Sequence, residues 1–306
     1  MISLEHIYDL IILGAGPAGL SASIYAKRAM MDFLILEKWF PGGEIANTFE
    51  VENYLGVNKL SGMELANNMV KHVEDLGIEI TVDPVVSVDF TQKIKKITTE
   101  KTTYLTKTVL IATGASARKL NVPGENRLNG YGVTYCATCD GFLYKDKVVA
   151  VVGGGDVAVE DAIYLSRMCK KVYLIHRRDK LRAVNALQDR MFKLNNVEVI
   201  WDSTVEEIKG KDFVEQITVL NKKNNSLKDI EVNGVFIAIG HTPNIDFLNN
   251  QVDLIDGSWI KTDSRLETSV LGVYAAGDIR DSYLRQIAMS VSDGALAVSS
   301  LAKYLE

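Results

Sequence analysis

This chain has little of what holds a metal, binds a nucleic acid or crosses a membrane. It carries three cysteines and four histidines in 306 residues, with no second Cys pair and no His-x-His or His-x3-His cluster. A structural zinc site needs four ligands, so no metal is expected. Acids outnumber bases, 39 against 34, for a net charge of -5, and no run of Lys and Arg offsets it. That balance argues against a nucleic-acid partner. No uninterrupted apolar stretch approaches the roughly 18 residues of a membrane span. The first apolar strand begins near Asp9, with no basic stretch and long apolar segment ahead of it, so a signal peptide is not expected. The expected compartment is the reducing cytoplasm, where a Cys-x-x-Cys pair reads as catalytic rather than as a staple.

What is present, 47% hydrophobic and 24% charged, is the composition of a globular protein with room for two cored domains. Its most informative segment is Cys136-Ala137-Thr138-Cys139-Asp140. On a helical segment the two sulfurs fall about one turn apart, close enough to bond with little backbone movement. The adjacent Asp140 can take or lend the proton that a thiol loses on attack and a thiolate needs on leaving. The third cysteine, Cys169, stands alone near the end of an expected helix, Ala158 to Lys170, and is assigned no role.

Two Gly-rich signatures flank the dithiol. Asp9 to Leu13 reads as a buried strand, Gly14-Ala15-Gly16-Pro17-Ala18-Gly19 as the turn, and Leu20 to Met30 as the helix it opens. Glycines at these spacings let the backbone turn tightly and approach a pyrophosphate at the helix N-terminus. Glu37 ends the next strand, Phe33 to Leu36, where a carboxylate can bind ribose hydroxyls. The pattern returns as strand Lys147 to Val152, then Gly153-Gly154-Gly155-Asp156-Val157-Ala158, helix, and strand Val172 to Ile175. Counted 23 residues from the first motif glycine, Glu37 in the first unit is replaced by His176 in the second, followed by Arg177, Arg178 and Arg182. Guanidinium groups there suit a ribose 2'-phosphate that a carboxylate would repel, so the second unit reads as a site for NADPH.

Each unit closes on an apolar strand with a small-residue ending, Val109 to Gly114 with Ala112, Thr113 and Gly114, and Val235 to Gly240. These read as the edges of one domain inserted into another, with Ala115 to Gly124 and His241 to Asn244 as the paired connections. A further strand runs into Gly277-Asp278 and then a helix from about Gln286 to Tyr304. An acid at such a turn meets a ribityl hydroxyl or a pyrophosphate-bound water, or is a turn residue alone.

With both units, the dithiol and the Gly-Asp turn in this order, the whole chain resembles the low-molecular-weight thioredoxin reductases. The segments that carry the resemblance are Gly14 to Gly19, Gly42-Gly43, Val51 to Tyr54, Ala112 to Gly114, Tyr135 to Gly141, Gly153 to Glu160, His176 to Asp179 with Arg182, and Ala275 to Asp278 with Arg285-Gln286. The resemblance implies an α/β fold of two Rossmann-like dinucleotide-binding domains, the second inserted into the first. Residues 1–116 and 244–306 would bind FAD, and 117–243 would bind NADPH and carry the dithiol. Carried over by position, Lys38, Gly43, Glu44, Asn53, Val85, Arg285, Gln286 and Ile287 join the FAD site. Cys139 becomes the thiol facing the flavin, Cys136 the exchange thiol and Asp140 the acid/base. The implied activity is electron transfer from NADPH through FAD and the dithiol to thioredoxin, in a homodimer. Because the dithiol and the NADPH signature share the inserted unit, turnover is expected to involve rotation about the two connections.

Five residues depart from the usual pattern, most of them near these sites: Glu44 where Gln is common, Val157 where a hydroxyl is common, and Ile287, Met289 and Ser292 in the C-terminal segment. They keep open a donor other than NADPH, while acceptor choice, written in surface residues around the dithiol, keeps open a reductase with another protein acceptor. A flavin-binding redox sensor is the alternative of a different class, disfavoured because a binding module has no use for an acid beside a dithiol.

Overall fold

A computed structural model describes residues 6–48 and 51–306. Its contacts divide the chain into two units. One comprises Met1–Ala46, Tyr54–Ser116 and Thr242–Glu306, the other Asn47–Asn53 and Ala117–His241. The short segment Asn47–Asn53 thus groups with the inserted part, which chain order alone does not announce.

The first unit begins with β1 (Ile7–Leu13), whose residues Leu10 to Leu13 are all fully buried. A strand covered on both faces reads as a continuous apolar run, the mark of a parallel sheet with helices on both sides. The helix α1 (Pro17–Arg28) follows at once, three residues before the expected Leu20. Pro17 at its first position has no N–H to leave unpaired, and its fixed φ suits the start of a helix. The helix ends at Arg28 because Met30 takes a left-handed φ of 54°. After β2 (Phe33–Glu37) comes α2 (Gly62–Asp75), opened by a reciprocal capping box between Ser61 and Glu64. The strands β3 (Ile80–Val82), β4 (Val85–Asp89), β5 (Lys95–Thr99) and β6 (Thr103–Ile111) complete this half in the order β3-β2-β1-β6-β5-β4. Odd and even residues of β1 feed opposite faces, Leu10 and Ile12 into one core cluster, Ile11 and Leu13 into another.

The connection β7 (Ala115–Ala117) leads to the inserted unit, which repeats the plan. It contains β8 (Val133–Thr134), the single-turn α3 (Ala137–Asp140), β9 (Val148–Gly153), α4 (Asp156–Ser166), β10 (Lys171–Ile175), α5 (Asn185–Met191) and β11 (Val197–Ile200). An antiparallel meander follows, β12 (Ser203–Lys209), β13 (Gln216–Asn221) and β14 (Ser226–Glu231), and then β15 (Gly234–Ala238). The parallel sheet runs β11-β10-β9-β15-β8. Again β9 alternates, Val149 and Val151 to one cluster, Ala150 and Val152 to the other. Helix α4 starts at Asp156 rather than the expected Ala158, because the acid in its first turn complements the helix N-terminus.

The return strand β16 (His241–Pro243) pairs with β7, so the two connections form one ribbon. Past the short hairpin β17 (Leu254–Ile255) and β18 (Trp259–Ile260), β19 (Val273–Ala275) joins β6 in parallel register, Val273 opposite Val109. The chain closes with α6 (Ile287–Leu305), packed so tightly on α1 that a Cβ on Gly294 would lie 2.1 Å from the Ala18 carbonyl oxygen.

Candidate functional site

Both Gly-rich turns share one geometric rule. In the first unit a Cβ on Gly14 would lie 2.5 Å from the Ala112 carbonyl oxygen, and one on Gly19 only 1.8 Å from the Gly14 carbonyl oxygen. These two glycines are demanded by neighbouring backbone. At Gly16, the N-cap of α1, a Cβ would meet nothing nearer than the Gly43 Cα at 3.8 Å. In the second unit Gly153 is closed in by the Ala238 carbonyl oxygen at 2.4 Å, while Gly155, the N-cap of α4, has only an Arg182 Nη2 at 4.0 Å. The middle glycine of each turn is therefore bare, at the head of a helix whose first N–H groups point outward. That is the form a pyrophosphate requires, so the residues present fit a dinucleotide in each unit.

Other residues named from the sequence gather around the first turn. Glu37 accepts the Ala15 N–H at 2.8 Å through one carboxylate oxygen, and the N–H groups of Lys38 and Trp39 through the other. It braces the turn as well as facing it. Lys38 lies over the Trp39 ring, 5.8 Å from its centroid. Gly43 abuts Gly16, and Glu44 accepts the Ser116 hydroxyl at 3.3 Å. Ala112, Thr113 and Gly114 follow β6, where Thr113 and Asn244 exchange two hydrogen bonds of 2.9 and 2.8 Å. Gly277, at φ 76°, brings its turn within reach of Ala18 and Ser290. Burial raises the carboxyl of Asp278 above the usual range, against the pull of Arg285 and the Ser290 hydroxyl. Arg285 stacks on Trp259 at 3.8 Å, Gln286 occupies the N-cap position of α6 and Ile287 opens it. Val85 stands apart as the first residue of β4, packed against a core cluster, and Asn53 is exposed in the segment that groups with the second unit.

Around the second turn the arginines Arg177, Arg178 and Arg182 are exposed, while His176 is buried at 5%. Its ring nitrogens lie 2.8 Å from the Gly153 carbonyl and 2.9 Å from the Lys180 carbonyl. His176 thus ties the arginine loop to the turn instead of presenting its ring to a ligand. The Arg182 N–H adds a bond of 2.7 Å to the Gly154 carbonyl. Val157, two residues into α4, is exposed at 57%, and Ala158 is fully buried.

The dithiol is closed as a disulfide, with a Cα–Cα distance of 5.3 Å. Cys136 is the N-cap of α3 and Cys139 lies one turn on, which is the geometry the spacing anticipates. Asp140 ends the turn, buried, with its N–H donating to the Cys136 carbonyl at 3.2 Å. Its charge helps burial push the Tyr144 phenol up to about 12. Burial likewise pushes the Cys169 thiol up to about 11, which keeps it unreactive at neutral pH.

Two features escaped the sequence reading. The Thr134 hydroxyl donates to Asp140 Oδ2, and Arg280 makes a bidentate pair with buried Asp293, at 2.7 and 3.1 Å. Asp293 also accepts the Gly277 N–H at 3.0 Å, so the pair fixes the Gly277-Asp278 turn to α6. No short-range motif announces a contact thirteen residues apart.

Two bare nucleotide turns and a bonded Cys-x-x-Cys define a dinucleotide-dependent disulfide oxidoreductase. Comparison with known proteins agrees. Residues 8–294 match the pyridine nucleotide-disulphide oxidoreductase family. The chain is 42% identical over 306 residues to a thioredoxin reductase of Bacillus subtilis, covering 100% of this chain and 97% of the other. It superposes on the thioredoxin reductase of Streptococcus pyogenes with a TM-score of 0.93 at 43% identity, covering 98% of each chain. On that of Giardia duodenalis the TM-score is 0.92 at 34% identity, covering 98% and 99%. The chain belongs to the pyridine nucleotide-disulphide oxidoreductases, and within them to the low-molecular-weight thioredoxin reductases. Among the described residues no helix is long and apolar enough to cross a membrane.

Proposed function

We propose that the chain is an NADPH-dependent thioredoxin reductase that uses FAD, acting in the cytoplasm as a homodimer. The observation that carries this reading is the pairing, in one unit, of a bare glycine turn faced by Arg182 with a bonded dithiol that ends in a buried acid. FAD in the first unit would supply the step between a two-electron hydride donor and a disulfide. The first unit's residues have the matching tasks: Gly16 leaves backbone N–H groups open to the pyrophosphate, and Glu37 and Asp278 offer carboxylate oxygens to hydroxyls. In the second unit Arg177, Arg178 and Arg182 would hold the 2'-phosphate.

At the dithiol, Cys136 gives its proton to Asp140 and attacks the acceptor disulfide. The departing acceptor sulfur recovers that proton, and Cys139 then attacks the Cys136 sulfur of the mixed disulfide, re-forming Cys136–Cys139 as the Cys136–acceptor bond breaks and the second acceptor sulfur takes up the Cys139 proton. Both cysteines are half-buried, so attack needs no unfolding of α3. Chain order places dithiol and NADPH signature in the same unit, and the β7–β16 ribbon is where the rotation that turnover calls for would be absorbed.

Purified protein should be yellow, with one FAD per chain, and should reduce thioredoxin with NADPH far faster than with NADH. Colourless protein that takes up no added FAD overturns the reading. Cys136→Ser and Cys139→Ser should each abolish thioredoxin reduction while NADPH still bleaches the flavin. Turnover in either variant removes the pair from the reaction.

A further inference from the structure

The acid beside the dithiol is held by a residue that nothing in the Cys-x-x-Cys-Asp motif contains. Thr134 lies on β8, the edge strand of the second unit's parallel sheet, paired through Phe236 of β15, and is 6% exposed. Its hydroxyl donates to Asp140 Oδ2 and accepts the Cys136 N–H at 3.2 Å. The Asp140 N–H in turn donates to the Cys136 carbonyl at 3.2 Å. Three hydrogen bonds therefore close a ring from Thr134 to Cys136 to Asp140 and back. The carboxylate is thereby placed with reference to both the sheet, through Thr134, and the backbone of the exchange thiol.

We propose that Thr134 is a positioning residue for the dithiol step, acting through Asp140. A hydroxyl has one proton and two lone pairs, so it can serve both states of the acid. It donates to the carboxylate before Cys136 gives up its proton. Once Asp140 carries that proton, the hydroxyl oxygen can accept from it, and the carboxyl stays in place while the Cys136 sulfur bonds to the acceptor and the acceptor S–S bond breaks. The departing sulfur then takes the proton from Asp140. No electron or proton beyond those of the two thiols and the acceptor disulfide is needed. This inference rests on the proposed role of Asp140 as acid/base.

The test compares Thr134→Val, which keeps the shape and loses the hydroxyl, with Thr134→Ser, which keeps the hydroxyl. The readouts are thioredoxin reduction by the FAD-loaded enzyme, and release of aromatic thiolate from 5,5'-dithiobis(2-nitrobenzoate) by dithiothreitol-reduced protein without NADPH. Thr134→Val should lower both rates by roughly 10- to 100-fold, the loss of one hydrogen bond to a charged group. KM for NADPH should not move, and Thr134→Ser should restore most of the rate. In an Asp140→Asn background, Thr134→Val should cost no more than about twofold, because a residue acting through the acid has nothing left to position. An undiminished rate in Thr134→Val, or the same loss with Asp140 already replaced, overturns the proposal. Should Thr134→Val fail to accumulate as a folded flavoprotein, Thr134→Ala removes the same hydroxyl without placing a methyl against the carboxylate and carries the same expectations. A wild-type chain inactive toward thioredoxin defeats the functional reading instead, and the thiol assay run without NADPH still decides on Thr134.

Discussion

The two nucleotide units are built on one template and diverge at three positions that can be read one against the other. Gly14 and Gly153 begin the turns, and both are closed in by a carbonyl of a neighbouring strand's end, Ala112 just past β6 in one and Ala238 of β15 in the other. At the third motif position the first unit has Gly19 and the second Ala158. At the end of the following strand the first has Glu37, which accepts an N–H of its turn, and the second has His176, which lies against a carbonyl of its turn. One helix turn past the motif the first has Ala22, fully buried, and the second Asp161. The backbone plan is thus indifferent to which polar group braces the turn, provided that some group does. What differs is the sign of the charge beside the turn: a carboxylate at the first, guanidinium groups at the second.

The third motif position should separate the units most strongly. In the first, α1 lies so close that a methyl at Gly19 would sit 1.8 Å from the Gly14 carbonyl oxygen, and only a shift of helix against strand relieves it. Gly19→Ala should cost about 3 kcal/mol, the upper part of the range for overpacking, and should abolish retention of FAD. Ala158→Gly in the second unit should cost only about 1 kcal/mol, from backbone freedom in the helix. Denaturant unfolding and flavin absorbance after desalting measure both. Equal costs would show that the two turns are not held to their helices differently.

The second contrast is between these side-chain charges. Replacing Arg177 and Arg178 together with neutral residues should raise KM for NADPH by roughly 10- to 1000-fold, at about 1.5–3 kcal/mol for each charged hydrogen bond and with imperfect additivity. KM for NADH should hardly change. Equal losses for both nucleotides would mean that these side chains support the loop rather than read a phosphate.

Much of this was legible in the sequence because it is local. Strand, glycine turn, helix and strand follow one another within about 30 residues in each unit, and the dithiol with its acid fits in five residues. The errors at element ends are local too: Pro17 and Asp156 start their helices inside the motif, where the periodicity of apolar residues gives no signal. What stayed hidden depends on chain returning from far away. His176 carries the position of a ligand-binding acid, yet its ring is buried between the carbonyls of Gly153 and Lys180. The anchoring of Gly277 by Asp293, and of Asp293 by Arg280, depends on α6 folding back over the turn. Thr134 is a polar residue in a two-residue edge strand, too short for any alternation to mark it.

The smallest effect concerns Asp161, where the second unit puts an acid at the position of Ala22. Burial, with Glu160 beside it, pushes the Asp161 carboxyl up to about 7, from an ordinary value near 3.8. The sign follows from which state holds the proton. Below pH 3.8 the folded and unfolded chains both keep it, and Asp161 is neutral to stability. Between that value and about 7 the unfolded chain releases the proton while the folded chain retains it, so stability falls as pH rises. Above about 7 the folded chain carries a buried charge and the whole cost is present. At 1.36 kcal/mol per unit, discounted because the side chain is half-buried rather than enclosed, the cost is about 1–3 kcal/mol. Asp161→Asn should therefore unfold at higher denaturant than the wild type at pH 8, with the gap shrinking steadily toward pH 5. Ala22→Ser, a polar change at the matching position of the first unit, should show no such pH-dependent gap, since it adds no titrating group. An Asp161→Asn chain less stable than wild type at pH 8 would mean that the carboxylate is held by a partner in the folded state, and the contrast between the two helices would then be one of pairing rather than of burial.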